Sequence, residues 1–348
     1  MAAETSERGG SYSLKKWTKL ILALSVVLLI AGGLSAQDKT YTLRFNTVAS
    51  PADDQVKAME KFAEVVNTLS AGKINVQVFH SGQMGDQKTA LLGVMKGSLE
   101  MACDASPSWF TDLASFPEIG ALEAAYLYRD IDHMYRVTLG PVGQAYWEAL
   151  AKRSNIRVLD VWYMGTRELT LTKKAGIVKT PADLKGIKLR MPNTETWLDV
   201  GRALGANPTP LGFGEVYMGL KTGTIDGQDN PIPTSYNEKF LEVTKYVVLT
   251  DHVIGYVTPV INEKLWQEMP ETYRVFIKQA MRVARFWLNE RVLEDETTLL
   301  GKAASEYGTE VVIPDKKAFM DSAAKFYSDP KYDVKYGKGT LAKIRAIE

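Results

Sequence analysis

The chain has 348 residues, 42 of them basic and 41 acidic, for a formal net charge of +1. That balance excludes the one-sided positive field of nucleic-acid and anionic-membrane binders, so a charged small molecule must be caught by local charge. One cysteine, Cys103, excludes an intrachain disulfide, and a chain this long can build two domains whose cores need no staple.

Lys15, Lys16 and Lys19 precede an apolar run from Leu20 to Ile30, which ends in Ala31-Gly32-Gly33-Leu34-Ser35-Ala36. A basic start, a short apolar stretch and small residues after it predict an export signal over residues 1–36, cleaved near Ala36. The run is shorter than the roughly 20 residues that span a bilayer. Cleavage would remove Arg8 and the three lysines with Glu4 and Glu7, leaving 38 basic and 39 acidic residues, a net charge of −1. The exported protein is expected in the periplasm.

Tyr41 to Phe45 alternates as a strand does. A helix follows, with Val56, Met59, Phe62, Ala63, Val66 and Leu69 on one stripe and Gly72 near its end. Ile74 to Phe79 is a second strand. Asp86 is the predicted N-cap of a helix through Met95 that Gly97 closes before the short apolar stretch Leu99 to Ala102. Cys103 continues that stretch and reads as buried and inert. Strand, helix, strand, helix, strand is the pattern of an α/β sheet.

Ile156 to Trp162 is the next predicted strand, and a crossover to the second domain follows it. Thr180-Pro181 has the form of an N-cap with proline at the first helical position, and Gly186 stops that short helix. Strand Ile187 to Met191 puts Ile187, Leu189 and Met191 on one face and Lys188 and Arg190 on the other. Helices are predicted around Thr194 to Leu204 and Glu215 to Thr222. After Val247-Val248-Leu249 the chain returns to the first domain, where Tyr256 to Ile261 reads as a strand. Glu271 to Tyr307 is almost continuously helical in pattern, without proline and with Gly301 alone. The tail after Asp329, rich in Lys, Tyr and Gly, is expected to wrap the surface.

The stretch from Arg167 to Pro231 carries the chemistry. It contains Gly165-Thr166-Arg167, Lys188-Leu189-Arg190-Met191-Pro192-Asn193, Phe213-Gly214-Glu215 and Asp226-Gly227-Gln228-Asp229-Asn230-Pro231. A guanidinium is a planar fork of donors that matches a carboxylate, so two arginines near strand ends predict recognition of an organic anion. Read from periodicity alone, Arg190 is a solvated arginine on an exposed face, and Arg167 fits an interdomain ion pair equally well. Asn230 is an Asx-turn candidate before Pro231, Phe213 a core residue, and Asn193 the cap of the next helix. His80, His133 and His252 lack metal-ligand spacing, and no dinucleotide fingerprint, phosphate loop or nucleophile elbow occurs. No metal, cofactor or catalytic residue is therefore expected.

In this order, and with Ser70-Ala71-Gly72-Lys73-Ile74, Gly82-Gln83-Met84-Gly85, Gly140-Pro141-Val142-Gly143 and Leu249-Thr250-Asp251-His252, the motifs resemble the substrate-binding proteins of tripartite ATP-independent periplasmic (TRAP) transporters, the DctP-like family. The resemblance implies an α/β fold of two lobes, with mixed sheets flanked by helices, hinge crossovers and one long helix spanning both lobes. Lobe I is expected over 38–164 and about 252–292, and lobe II over 165–251 and about 293–348. It implies that Arg190 forms the main salt bridge to a ligand carboxylate, with Arg167, Asn230, Phe213 and Asn193 beside it. Where this chain has Asp229, the family motif usually has Glu.

For the first lobe the resemblance points to Val48, Gln87, Asp104, Ala105, Ser106 and Trp109. Asp104 and Gln87 suit hydroxyl groups, and Trp109, Trp162 or Tyr163 suits the face of a sugar ring. Val48 and Ala105 argue against sialate, which leans the reading towards a sugar acid such as a hexuronate or aldonate. A C4-dicarboxylate or 2-oxo acid stays open, as does a sensory ligand-presenting protein or a lyase or isomerase on the same scaffold. The expected partners are the ligand and the TRAP membrane permease subunits, not nucleic acid, and the receptor is expected to act as a monomer.

Overall fold

The computed structural model describes residues 39–348, and the expected export signal lies outside them. Eleven strands among these residues form two sheets. They are β1 (Tyr41–Asn46), β2 (Ile74–Phe79), β3 (Met101–Ala102), β4 (Ile156–Val158), β5 (Trp162–Leu171), β6 (Lys188–Met191), β7 (Asn207–Pro210), β8 (Gly227–Pro231), β9 (Tyr246–Val257), β10 (Val260–Asn262) and β11 (Glu310–Val312). The first sheet has the order β2-β1-β3-β10-β4 and the second the order β11-β9-β5-β8-β6-β7. Both are mixed. β1 and β3 run parallel while β10 is antiparallel to β3 and β4, and β6 is parallel to β7 and β8 while β5 is antiparallel to β8 and β9. With helices packed on these sheets the chain has a two-lobed α/β fold.

Local chemistry accounts for most element ends. Asp53 caps the helix Asp54–Leu69 by accepting from the Gln55 amide, and Asp86 does the same for Gln87–Lys96 through Thr89. Val56, Met59, Phe62 and Val66 of the predicted stripe are buried, whereas Leu69 at its end is exposed. Thr180 and Asp183 form a reciprocal capping box. Cys103 is buried, and burial pushes its thiol well above the ordinary range.

The long helix runs from Glu271 to Tyr307, as its pattern predicts. No helix among the described residues is long and apolar enough to cross a membrane. The expected strand from Ile156 to Trp162 is two strands: β4 stops at Val158 and β5 starts at Trp162, running unbroken past the anticipated crossover to Leu171. β9 likewise continues from Tyr246 to Val257 and pairs with β5 along its length. Asn207-Pro208-Thr209-Pro210 is the edge strand β7, where proline's missing N–H costs nothing. The tail holds two short helices, Pro330–Tyr336 and Thr340–Arg345, anchored by buried Tyr332, Tyr336 and Ile344.

Candidate functional site

Arg190 sits on β6, an inner strand with β7 on one side and β8 on the other, in register with Thr209 and Gln228. It is 2% exposed, so the solvated reading drawn from periodicity fails: the face that carries it is covered. Its Nε donates to the Leu211 carbonyl at 2.9 Å. Among the described residues it makes no ion pair, and its guanidinium carbon lies 6.0 Å from the Phe213 ring centre. Burial pushes its pKa down to about 10, opposed by Asp229 and reinforced by Arg167. A buried cation without a counter-ion is costly to fold.

Arg190 lines a cavity of about 100 Å³ together with Arg167, Asn230, Phe213, Gln87, Asp104 and Trp109, so seven of the eight predicted site residues converge. Asn193 does not. It is exposed, and Thr194 caps the next helix in its place by accepting from the Trp197 amide. Val48 and Ser106 also line the cavity, whereas Ala105 is buried away from it. Trp162 and Tyr163 do not line it either: Trp162 is fully buried, and the Tyr163 hydroxyl bonds to Glu296 at 2.9 Å. The aromatic residues that line the cavity are Trp109 and Phe213, both expected, with Trp197 and Tyr256, which the sequence reading missed.

Arg167 is held rather than free. Its Nε donates to Asp229 Oδ2 at 2.7 Å, a terminal nitrogen donates to the Asp229 carbonyl at 2.7 Å, and the guanidinium stacks 4.3 Å from the Trp197 ring centre. His252 Nε2 donates to the same Oδ2 at 3.1 Å, while Nδ1 bonds to Thr250 at 2.8 Å. Gly165, at φ 107°, admits this geometry beside Arg167, because a Cβ there would come within 2.7 Å of the Pro231 side chain. Asn230 donates its amide N–H to Gln228, leaving its carbonyl oxygen without a partner among the described residues.

Three carboxyls, Asp53, Asp104 and Glu123, also line the cavity. Asp104 accepts from Thr47, Gln55 and the Val48 amide, so its oxygens are already engaged, and burial raises its pKa. Asp53 and Glu123 were missed at the sequence level because each looks like turn chemistry. Burial pushes each of them up to about 7, and both line the cavity. A carboxyl whose folded-state pKa is raised keeps its proton while the unfolded chain loses it. Its stabilising contribution is full below about pH 4 and is lost as pH rises towards 7. Urea midpoints should therefore fall less steeply between pH 5 and 7 when Asp53→Asn and Glu123→Gln are combined than in the unmodified protein, and an identical slope would contradict these assignments.

The model of the bacterial extracellular solute-binding protein family 7 matches residues 45–332. The chain is 29% identical over 330 residues to the sialic acid-binding periplasmic protein of Vibrio cholerae, covering 94% of this chain and 100% of that one. It is 30% identical over 335 residues to the 2,3-diketo-L-gulonate-binding periplasmic protein of Escherichia coli, covering 94% and 99%. A TRAP periplasmic solute-binding protein of Roseobacter denitrificans, solved with bound 3-deoxy-D-manno-oct-2-ulosonic acid, has 33% identity and a TM-score of 0.83, over 89% of this chain and 100% of that one.

Proposed function

The chain belongs to the bacterial extracellular solute-binding protein family 7, and from that premise we propose that it is the periplasmic receptor of a TRAP transporter, delivering a sugar acid to a membrane permease. The observation that carries this reading is Arg190, 2% exposed and without an ion pair among the described residues, in a cavity that carboxyls also line. The ligand carboxylate docks on Arg190, with Arg167 and Asn230 beside it, while Phe213 and the tryptophans pack the ligand body. Its hydroxyl groups meet Asp53, Glu123 and Gln87, which favours a polyhydroxy acid over a dicarboxylate that would bring a second negative charge to a cavity lined by carboxyls. Hexuronates and aldonates fit this pattern. A 2-oxo sugar acid is the second reading, favoured by the ligands named for all three relatives described above.

In this reading lobe I comprises 38–164 and about 252–292, lobe II comprises 165–251 and about 293–348, and the exported monomer binds without turnover. Only a ligand bonded better in the closed state can shift the equilibrium towards closure. A thermal-shift screen of hexuronates, aldonates, 2-oxo sugar acids, sialate and C4-dicarboxylates tests the assignment. At about 100 times Kd a ligand that binds only the folded protein adds about 2.7 kcal/mol, a shift of several degrees. Stabilisation by dicarboxylates alone, or product appearing during incubation, would overturn it.

Glu238 supports closure from outside the cavity. The Ser50 amide, beside β1, donates to Glu238 Oε1 at 2.7 Å, tying the first lobe to the end of the helix Ile232–Asn237 in the second. Glu238→Ala leaves that amide unpartnered, at a cost of about 1–2 kcal/mol to the closed state. Ligand should then dissociate about 5- to 30-fold faster in stopped-flow measurements, with little change in association. An unaltered dissociation rate would remove Glu238 from the closing mechanism.

A further inference from the structure

A second cavity, about 690 Å³ in volume, lies against the β5–β9 strand pair and is walked round by Tyr126, Ile131, Met320 and Arg345. Arg345 is half-buried, and among the described residues its side chain makes no hydrogen bond or ion pair. Burial lowers its pKa, with Tyr327 opposing that shift. Arg129 stands beside it, donating to the Arg345 carbonyl at 2.7 Å and the Ile347 carbonyl at 2.8 Å, so it too lacks an anionic partner among the described residues. The other cation of the groove, Lys316, is already paired with Asp251 at 2.7 Å. Asp130 is engaged as well, accepting from the His133 amide, and Asp132 is exposed.

Two non-glycine residues at the groove hold left-handed backbone, Tyr126 at φ 53° and Asp251 at φ 45°. Such conformations cost about 1–3 kcal/mol each and persist where the surroundings impose them. Here the Tyr126 amide donates to the His252 carbonyl at 2.8 Å and its hydroxyl to the Thr250 carbonyl at 2.9 Å, while the Asp251 amide donates to Glu168 at 2.9 Å. The groove also touches the ligand cleft through single peptide units. Thr166 and Arg167 are successive residues of β5 and project to opposite faces, the first lining the groove and the second the cleft. Asp251 lines the groove, and the next residue, His252, holds Asp229 and through it Arg167.

We propose that this groove is a second binding site, for a small organic anion bearing a carboxylate or phosphate held by Arg345 and Arg129, and that its occupancy alters ligand affinity at the cleft. The site stands on its own geometry; only the coupling rests on the proposed function. The apolar walls given by Leu127, Ile131, Ile254 and Met320 accept the body of such a molecule, and its charge supplies the counter-ion that both guanidinium groups lack among the described residues.

The test uses the full chain carrying Arg190→Ala, so that the cleft has lost its anchor, titrated calorimetrically with inorganic phosphate and with citrate. Binding of either supports the site, and which of them binds identifies the head group. Adding Arg345→Gln should weaken that binding at least about tenfold. Met320→Trp, which fills the groove from its exposed side and leaves both arginines in place, should weaken it similarly. Failure of both anions to bind, or binding unchanged in both groove variants, would overturn the proposal. Sugar-acid affinity of the Arg345→Gln chain, measured without added anion, should match the unmodified chain, so failure of the cleft reading shows separately, as retained sugar-acid binding in Arg190→Ala. Coupling predicts that saturating phosphate or citrate changes sugar-acid Kd at least about threefold in the unmodified chain and not in Arg345→Gln; no change in either would refute it.

Discussion

Replacing Arg190 with alanine is expected to weaken sugar-acid binding by about 30- to 4,000-fold, the equivalent of about 2–5 kcal/mol for truncating one partner of a buried charge pair. Without ligand the same substitution should leave the protein folded, and as stable or more so. The reason lies in the environment of the side chain. It is 2% exposed, its Nε is satisfied by the Leu211 carbonyl, and its charge is balanced by no ion pair among the described residues. Folding therefore desolvates a cation with little local return, and alanine relieves that cost while leaving a cavity that partly offsets the gain. Arg190→Lys separates charge from geometry: a single ammonium keeps the charge but loses the fork, so its affinity should fall between the two. Calorimetric titration gives the affinities and urea melts the stabilities. Loss of binding together with loss of fold would instead make Arg190 a structural residue.

How much of this was legible beforehand follows the range of the interactions. The helix Glu271–Tyr307 appears at its predicted bounds, because an apolar period sustained over many turns is a local signal. Asp86 caps where predicted, because caps are local chemistry too. β5 and β9 were broken up in the reading because periodicity cannot see that the two long strands pair with each other past register shifts that interrupt the alternation. Arg190 appeared solvated from alternation alone, since alternation reports which side chains share a strand face and not what covers that face: the side chain bonds to the Leu211 carbonyl, 21 residues on, and lies 6.0 Å from the Phe213 ring centre. The motif order located the second-lobe side of the site well. The first-lobe side was harder: Asp53 and Glu123 carry no pattern beyond a helix start and a turn, and only their burial at the cavity wall gives them weight.

Asp229→Ala should cost about 3–5 kcal/mol of stability, the penalty for removing one member of a buried pair and stranding the other. Asp229 is fully buried, and its Oδ2 receives both Arg167 at 2.7 Å and His252 at 3.1 Å. Burial by itself would raise the carboxyl's pKa, but Arg167 and His252 outweigh it and hold the group well below the usual carboxylate range. Its contribution is therefore present above the unfolded-state value near 4 and is lost as pH falls below it, opposite in sign to that of Asp53 and Glu123. Urea denaturation at pH 7 should show the full loss in Asp229→Ala, and the difference from the unmodified protein should shrink as the pH is lowered towards 3. Asp229→Asn keeps the shape and an acceptor for His252 but not the charge on Arg167, so it should lose less. The substitution should also loosen Arg167 from its stacking on Trp197 and so weaken ligand binding, although Asp229 itself does not line the cavity. A stability difference that stayed constant down to pH 3 would mean that Asp229 acts by packing alone, and the ionic account of how Arg167 is held would have to be abandoned.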